Sequence, residues 1–351
     1  MRKTASTSPA RTGKQRLLAS CAIAAGLAAI ALGGPALAQV AGSGSIVSGG
    51  GTITPPGPGA TTVTTTTPQA IVHWTPTDTA PTGGAIDFLP AGNTLNFVGT
   101  GSYTVLNRFV DASGGSIARQ IALNGTVNSY VGSTTGPRGG NIGFYNAGGI
   151  LIGATGVINV GSLVLTANDI NTTGGLFGPG GTIRFNGASG STSAITVNGA
   201  INADVPGNPG GSYVALVAPR IVQAGAIRVD GSAAFVAAEQ ADIRINNGLF
   251  DINVLVGAEG GTAITHSGTT TGPAHQQGDV DQNRIYLVAI PKNDAVTMLV
   301  SGQIGYDDAV SAQIDPDGAV VLSAGYNIVG GQIAGNPVGN AAANITINDT
   351  I

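Results

Sequence analysis

Cysteine is almost missing from this 351-residue sequence, which contains only Cys21. That residue lies inside an apolar run near the N terminus, where a small apolar side chain fits. The residues Leu18 to Cys21 resemble a lipoprotein cleavage box, but most of the apolar run follows the cysteine, whereas a true box comes after that run. Once this segment is removed, the chain can form neither a disulfide nor a thiolate metal site.

Acidic residues are absent from the first 38 positions, which we predict to be a secretory signal peptide. Five basic residues precede an apolar run over 17–32, and Ala36-Leu37-Ala38 forms a small-x-small cleavage site. The run is shorter than the roughly 20 residues that a membrane-spanning helix needs. We therefore expect cleavage between Ala38 and Gln39.

Charge of both signs is scarce, at 9% of residues, where soluble domains have about a quarter. After position 38, nine basic residues remain against 18 acids, for a net charge near −9. Lys292 is the only lysine there, and Glu239 and Glu259 are the only glutamates. The chain therefore lacks the clustered Lys and Arg residues that binding to nucleic acid or to an anionic membrane surface needs. Exposed helices supported by Glu–Lys pairs are disfavoured as well.

What the sequence does contain is glycine, 57 residues of it, and short apolar runs rich in Val, Ile and Thr. One five-residue module recurs. It consists of an apolar residue, any residue, a second apolar residue, then Asn or Asp, and finally Gly. Apolar residues two apart face one side of a strand, and Asn-Gly permits a sharp corner. The module occurs at 121–125, 183–187, 195–199 and 227–231, with close relatives at 158–161, 243–248 and 345–348.

Repeated strands and corners can close as an antiparallel sandwich or as successive parallel coils. The scarce charge and the many small corner residues favour coils, although the spacing between modules is irregular. We therefore predict an all-β fold, a right-handed parallel β-helix with an N-terminal capping region and irregular loop excursions. The predicted parts are a signal peptide (1–38), a Gly/Thr/Pro-rich lead-in with a capping strand (39–68), the main β-helix domain (69–256), a polar loop excursion (257–283) and further strand repeats (284–351).

Candidate metal and catalytic groups are few. In the predicted excursion, His266 and His275 accompany Asp279 and Asp281, and because their spacing is loose we expect surface-loop histidines rather than a metal site. The stretch that begins at Asp279 starts like a calcium loop, but the pattern fails at its sixth and twelfth positions, so we expect a polar loop there. A second acidic cluster could suit a carbohydrate-active enzyme, but the nearest basic residue is Lys292, and a turn is favoured. Its carboxylates are those of Asp307, Asp308, Asp315 and Asp317. We expect no cofactor, no bound metal and no enzyme activity, and we expect Trp74 to pack near the first coil.

Three blocks of sequence, in order, carry a resemblance to a known family. They are Leu106-Asn107-Arg108-Phe109-Val110, then Asn146 to Gly153, then Gly156 to Ile170. They resemble the L-N-R-V, N-P-N-G-I-L-F-G and V-N-V-G-G-L-V-A-S-T-x-D-I elements of the secretion domain in filamentous-haemagglutinin-like exoproteins. The second block departs from the family, with Ala147 and Gly148 where the family has Pro and Asn.

The resemblance implies a two-partner secretion exoprotein, exported from a Gram-negative bacterium by a dedicated outer-membrane β-barrel transporter. It further implies a structural or adhesive role at the cell surface, with a receptor or glycan as adhesive partner. The alternatives are a β-helix lyase or glycosidase, and a fragment of an autotransporter passenger. The residues expected to take part in recognition by the transporter are Asn107, Arg108, Asn146, Gly149, Asn159 and Asp169.

Overall fold

The computed structural model describes residues 40–57, 60–78, 83–173, 181–205, 211–246, 249–273, 283–306, 319–334 and 343–347. These ranges contain strands and no helix, so no helix in them could span a membrane. In chain order the strands are β1 (Gly42–Ser48), β2 (Gly51–Gly57), β3 (Ala60–Thr65), β4 (Gln69–Pro76), β5 (Ile86–Leu89), β6 (Thr94–Gly99), β7 (Thr104–Phe109), β8 (Ile121–Leu123), β9 (Thr126–Val131), β10 (Asn141–Tyr145), β11 (Ile150–Ile152), β12 (Val157–Asn159), β13 (Ser162–Thr166), β14 (Asp169–Ile170), β15 (Thr182–Asn186), β16 (Ala194–Val197), β17 (Ala200–Ala203), β18 (Ser212–Ala218), β19 (Arg220–Gln223), β20 (Ala226–Val229), β21 (Gly231–Asn246), β22 (Leu249–Gly257), β23 (Gly261–His266), β24 (Thr269–Thr271), β25 (Arg284–Ala289), β26 (Val296–Val300), β27 (Gln303–Ile304), β28 (Ala319–Ala324), β29 (Ile328–Val329), β30 (Gln332–Ile333) and β31 (Ala343–Ile347).

Successive strands coil through three sheets, which we call I, II and III. Sheet I contains β3, β6, β9, β12, β17, β20, β24 and β27, sheet II contains β4, β7, β10, β13, β18, β21, β25 and β28, and sheet III contains β5, β8, β11, β16, β19, β23, β26 and β31. Neighbouring strands within each of these sets are parallel. This arrangement is a parallel β-helix, as predicted, and the antiparallel sandwich is not the architecture.

Antiparallel strands cover the first coil, where a lead-in with one capping strand was expected. Strand β1 pairs with β4 of sheet II, and β2 pairs with β3 of sheet I. Trp74 lies completely buried on β4, as expected, and Gly44 of β1 lies over its ring so closely that an added Cβ would collide with it. The capping segment is therefore more structured than its Gly and Pro content indicated.

The main core fills the space between the three sheets. Inward positions carry apolar side chains, and the first coils add an aromatic cluster in which the Phe88 ring centroid lies 5.2 Å from that of Trp74 and 4.8 Å from that of Phe109, with edge-on packing in both pairs. Leu163 and Leu165 of β13 point inward and are fully buried in this core.

A second, antiparallel sheet covers the outward face of sheet II, and the sequence did not predict it. This outer sheet contains β14, β15, the second half of β21, β22, β29 and β30. Phe250 of β22 packs edge-on against Tyr213 and Tyr286 of sheet II, with centroids 6.2 and 5.9 Å apart. The modules at 183–187 and 243–248 contribute β15 and the end of β21 to this outer sheet rather than to the coils, because a two-residue period fixes which face is buried but not what covers it.

The predicted loop excursion over 257–283 is wrong for its first half. Strand β23 pairs in parallel with β19 and β26, and β24 pairs with β20 and β27. Small Thr and Gly side chains made this segment look like a loop, yet it forms ordinary coil strands. Residues 274–282 lie outside the described residues.

Candidate functional site

The first block of the family resemblance forms β7, where neighbouring residues point in opposite directions. Asn107 points inward and is completely buried. Its Oδ1 accepts a hydrogen bond from Trp74 Nε1 at 2.8 Å, and its Nδ2 donates to Gly143 O at 3.0 Å. These bonds satisfy a polar group that would be costly to bury alone. Asn107 therefore joins three successive strands of sheet II, and a partner that binds the folded β-helix does not reach it.

Arg108 points outward from the same strand and meets the end of the third block. Its Nη2 lies 2.8 Å from Asp169 Oδ1 and donates a 2.6 Å hydrogen bond to Ile170 O. The guanidinium also lies over the Tyr145 ring, 5.7 Å from the centroid. The Arg108 side chain is 19% exposed and that of Asp169 is 47% exposed. The structure thus brings together two of the predicted site residues that are far apart in sequence.

His73 and Tyr145 flank Arg108 in register on the outward face of sheet II. Burial lowers the pKa of His73, and the charge of Arg108 lowers it further. Burial raises the pKa of the Tyr145 hydroxyl, and the carboxylate of Asp169 raises it further. We call His73, Arg108, Tyr145 and Asp169 the Arg108 cluster. Sequence reasoning missed His73 and Tyr145, since only the pairing of β4, β7 and β10 reveals that they are neighbours of Arg108.

The second block forms a tight corner after β10. Asn146 is fully buried, and its Nδ2 donates to Gly149 O at 2.7 Å and to Arg119 O at 2.8 Å. Gly149 has φ +92°, and a Cβ there would lie 2.2 Å from the backbone oxygen of Ala194 on the next coil. The corner therefore has the side-chain hydrogen bond and left-handed glycine that the sequence suggested, and both residues shape the backbone.

Asn159 belongs to a row of stacked asparagines on the outward face of sheet I. Asn128 donates to Asn96 at 3.1 Å, Asn159 donates to Asn128 at 3.0 Å, and Asn202 donates to Asn159 at 2.9 Å, each through Nδ2 to Oδ1. The sequence separations are 32, 31 and 43 residues, and the longest step is the one that contains β14 and β15. Departures of this kind from the coils explain why the modules show no fixed period. Asn159 thus has a structural role in aligning coils.

His266 was expected to be a surface-loop histidine, and that expectation is wrong. The side chain is completely buried within the β-helix. Its Nδ1 lies 2.8 Å from Ser301 O, and its Nε2 lies 2.9 Å from Thr270 Oγ1. Burial lowers the pKa of this imidazole. His266 is the last residue of β23, and there its side chain points inward. The Gly- and Thr-rich sequence around it resembles a loop, so the sequence did not reveal this strand.

Several predicted positions lie outside the described residues. These are the cleavage residues Ala38 and Gln39, the loop residues His275, Asp279 and Asp281, and the acidic residues Asp307, Asp308, Asp315 and Asp317. Within the described ranges, no three His, Cys, Asp or Glu side chains are grouped so that they could hold a metal ion.

No protein-family model and no curated protein matches this sequence. Among solved structures, the chain is similar to the crystal structure of the HMW1 secretion domain from Haemophilus influenzae, at 17% sequence identity and a TM-score of 0.49. The alignment covers 88% of this chain and 83% of that chain.

Proposed function

We propose that this chain is a secreted exoprotein of a two-partner secretion system. In this proposal the segment 1–38 directs the chain to the periplasm of a Gram-negative bacterium. A dedicated outer-membrane β-barrel transporter then recognises the coils that carry the family resemblance and exports the chain. The β-helix acts at the cell surface as a structural or adhesive protein, with a receptor or glycan as its partner and with no catalytic role.

One observation carries the proposal: the three resembling blocks are not only in the right order but meet in space. Arg108 of the first block binds Asp169 and Ile170 of the third, 61 and 62 residues further on, and Asn146 N of the second block donates to Thr166 O of the third at 3.2 Å. Residues that serve one structure or one recognition event are expected to converge in this way. The convergence supports the interpretation that the blocks act as a unit.

The six predicted recognition residues divide into two groups by their contacts. Asn107, Asn146, Gly149 and Asn159 bond to or shape neighbouring coils. Arg108 and Asp169 present partly exposed charges on the outside. We therefore propose that the transporter contacts the Arg108 cluster, while the other four residues form the framework that holds the cluster in place.

β-Helix lyases and glycosidases use grouped carboxylates, often with a Lys or Arg nearby, and the acidic cluster at 307–317 is the candidate for such a group. Lys292 is the nearest in sequence, and it is bound to Glu239 and Glu259, at 3.0 and 2.9 Å. No described contact favours catalysis, so we do not propose it.

The test compares export of surface and framework variants from cells that contain the transporter. Arg108→Ala and Asp169→Ala should each lower export roughly tenfold, as expected for loss of a charge-assisted contact, while the purified proteins keep the wild-type circular dichroism spectrum. Arg184→Ala is the matched control, because Arg184 pairs with Asp242 on the outer sheet and is 51% exposed.

Framework variants separate folding from recognition. Asn146→Ala and Gly149→Val should lower export and thermal stability together. Wild-type export of both Arg108→Ala and Asp169→Ala would overturn the assignment of the Arg108 cluster, and wild-type export of all four variants would overturn the two-partner proposal.

A further inference from the structure

The only lysine and the only two glutamates after position 38 lie together in the fold. Lys292 Nζ donates to both carboxylate oxygens of Glu239, at 3.1 and 3.0 Å, and to Glu259 Oε1 at 2.9 Å. It also reaches Ser189 Oγ at 3.2 Å. Hydrogen bonds from Lys292 to Glu259 and Glu239 raise its pKa. In a chain with so few charges, these three side chains share one site.

That place is the junction at which the chain leaves the β-helix for the outer sheet. Strand β21 pairs within sheet II up to Ala237 and within the outer sheet from Ala238, with a bulge between Ala238 and Gln240. Glu239 is therefore the residue at the change of sheet. Its backbone oxygen accepts from Gly187 N at 2.7 Å, and Asn168 Nδ2 donates to Ala238 O at 2.9 Å.

Five chain segments thus meet at this junction. They are the corner before β14, the loop after β15, the bulge of β21, the turn after β22 and the turn after β25. The turns after β22 and β25 are joined directly, because Lys292 N donates to Ala258 O at 2.9 Å and Ala258 N donates to Ile290 O at 2.8 Å. Lys292 comes last of these segments in the chain, so the junction is complete only when β25 is in place.

The outer sheet depends on late segments in the same way. Among the described strands, β15 pairs only with β14 and with residues 240–244 of β21. Until those residues arrive, β14 and β15 have no covering strand, and the outward apolar side chains of sheet II remain open. The backbone pairing of β7, β10 and β13 with one another uses none of these later segments.

The buried carboxylate of Glu239 needs a partner of opposite charge. Its side chain is only 2% exposed, and apart from Lys292 its carboxylate receives a hydrogen bond from Gly190 N at 2.8 Å. A buried carboxylate that loses its cation is strongly disfavoured, and an opening that lets water reach the carboxylate relieves that cost. Separation of the outer sheet from sheet II would expose Glu239, because this residue stands where β21 passes from one sheet to the other.

We propose that Lys292, Glu239 and Glu259 form a latch that holds the outer sheet closed on the β-helix, and that closes after the coils have formed. The outer sheet and the coils are then separate cooperative units. Opening the latch frees the outer sheet and leaves the coils of β7, β10 and β13 intact. This inference is independent of the proposed export, because it concerns the folded chain alone.

Hydrogen exchange of the purified full chain tests the latch. Lys292→Met should accelerate amide exchange in β14, β15 and β22 by at least roughly tenfold, with exchange in β7, β10 and β13 unchanged. Arg184→Met is the matched control, because it removes one cation from the outer sheet at an exposed pair, and it should leave exchange in both regions near wild type.

A second variant distinguishes a latch from general destabilisation. The triple change K292M, E239Q and E259Q removes all three charges, so it should return exchange in the outer sheet toward the wild-type rate. If Lys292→Met cannot be purified in folded form, Glu259→Gln, whose side chain is 28% exposed, should show the same preference for the outer sheet to a smaller degree. Equal acceleration in both regions, or none in either, would overturn the proposal.

Discussion

His266 places a titratable ring in the interior of the β-helix. Ser301 O can only accept a hydrogen bond, so Nδ1 carries a proton, and in the neutral ring Nε2 accepts from the Thr270 hydroxyl. Phe235 lies edge-on to it, with centroids 6.0 Å apart. A second proton would put a charge in this interior, which is why burial lowers the folded-state pKa below the ordinary value of 6.5.

The lowered pKa of His266 makes the free energy of unfolding depend on pH. Above pH 6.5 the imidazole is neutral in both folded and unfolded chains. As the pH falls below that value, the unfolded chain binds the proton first, so stability falls until the lower folded-state pKa is reached. The free energy of unfolding in urea should therefore drop less between pH 6.5 and about 5 for His266→Gln than for the wild-type protein. Equal drops would show that the imidazole titrates alike in both states.

Gly149 tests whether the corner after β10 depends on the backbone geometry of glycine. Gly92 has a similar φ, +83°, but nothing within 4 Å of an added Cβ, so it is the matched control. Gly92→Ala should cost about 1 kcal/mol from backbone strain alone. Gly149→Ala should cost roughly 1–3 kcal/mol more, because the Ala194 carbonyl must move. Equal changes in the free energy of unfolding would mean that the corner adjusts freely.

At the scale of the elements, the outer sheet stabilises the molecule through a second core. Phe250 is the central side chain of that core, while Leu255 on the same strand points outward and is 45% exposed. Phe250→Ala should lower the free energy of unfolding by roughly 3–5 kcal/mol. Leu255→Ala should change it by less than about 0.5 kcal/mol. Chemical denaturation compares the two, and a small effect at Phe250 would show that the outer sheet contributes little.

Local patterns predicted the strands and corners but not every partner. The modules at 195–199 and 227–231 lie on coils, as expected, because alternation and Asn-Gly corners are local properties. Ile183-Arg184-Phe185 shows the same alternation, yet β15 faces sheet II from outside. Whether a strand joins a coil or an outer sheet depends on residues far along the chain, and no local pattern records that.

The candidate site was predictable to the same extent. The resemblance selected Arg108 and Asp169, and the fold joins them. Direction along β7 could not be decided from sequence, so Asn107 was grouped with Arg108 although it points into the core. The contacts of Lys292 with Glu239 and Glu259 link segments 53 and 33 residues apart, and only the rarity of these residue types hinted at them.

At the scale of the whole molecule, the chain combines a predicted signal peptide, a parallel β-helix and an outward charged cluster around Arg108. These features make sense together if the chain crosses the inner membrane unfolded and is then exported by a partner that recognises its first coils. A chain without cysteine after position 38 forms no disulfide during passage through an oxidising periplasm.

The most direct measurement is the amount of full-length chain released into the medium by cells with and without the outer-membrane transporter, followed by N-terminal sequencing of the released protein. We predict release only when the transporter is present, and Gln39 as the first residue of the released protein. Release at the same level without the transporter, or retention of Met1 to Ala38 in the released protein, would overturn the proposed function.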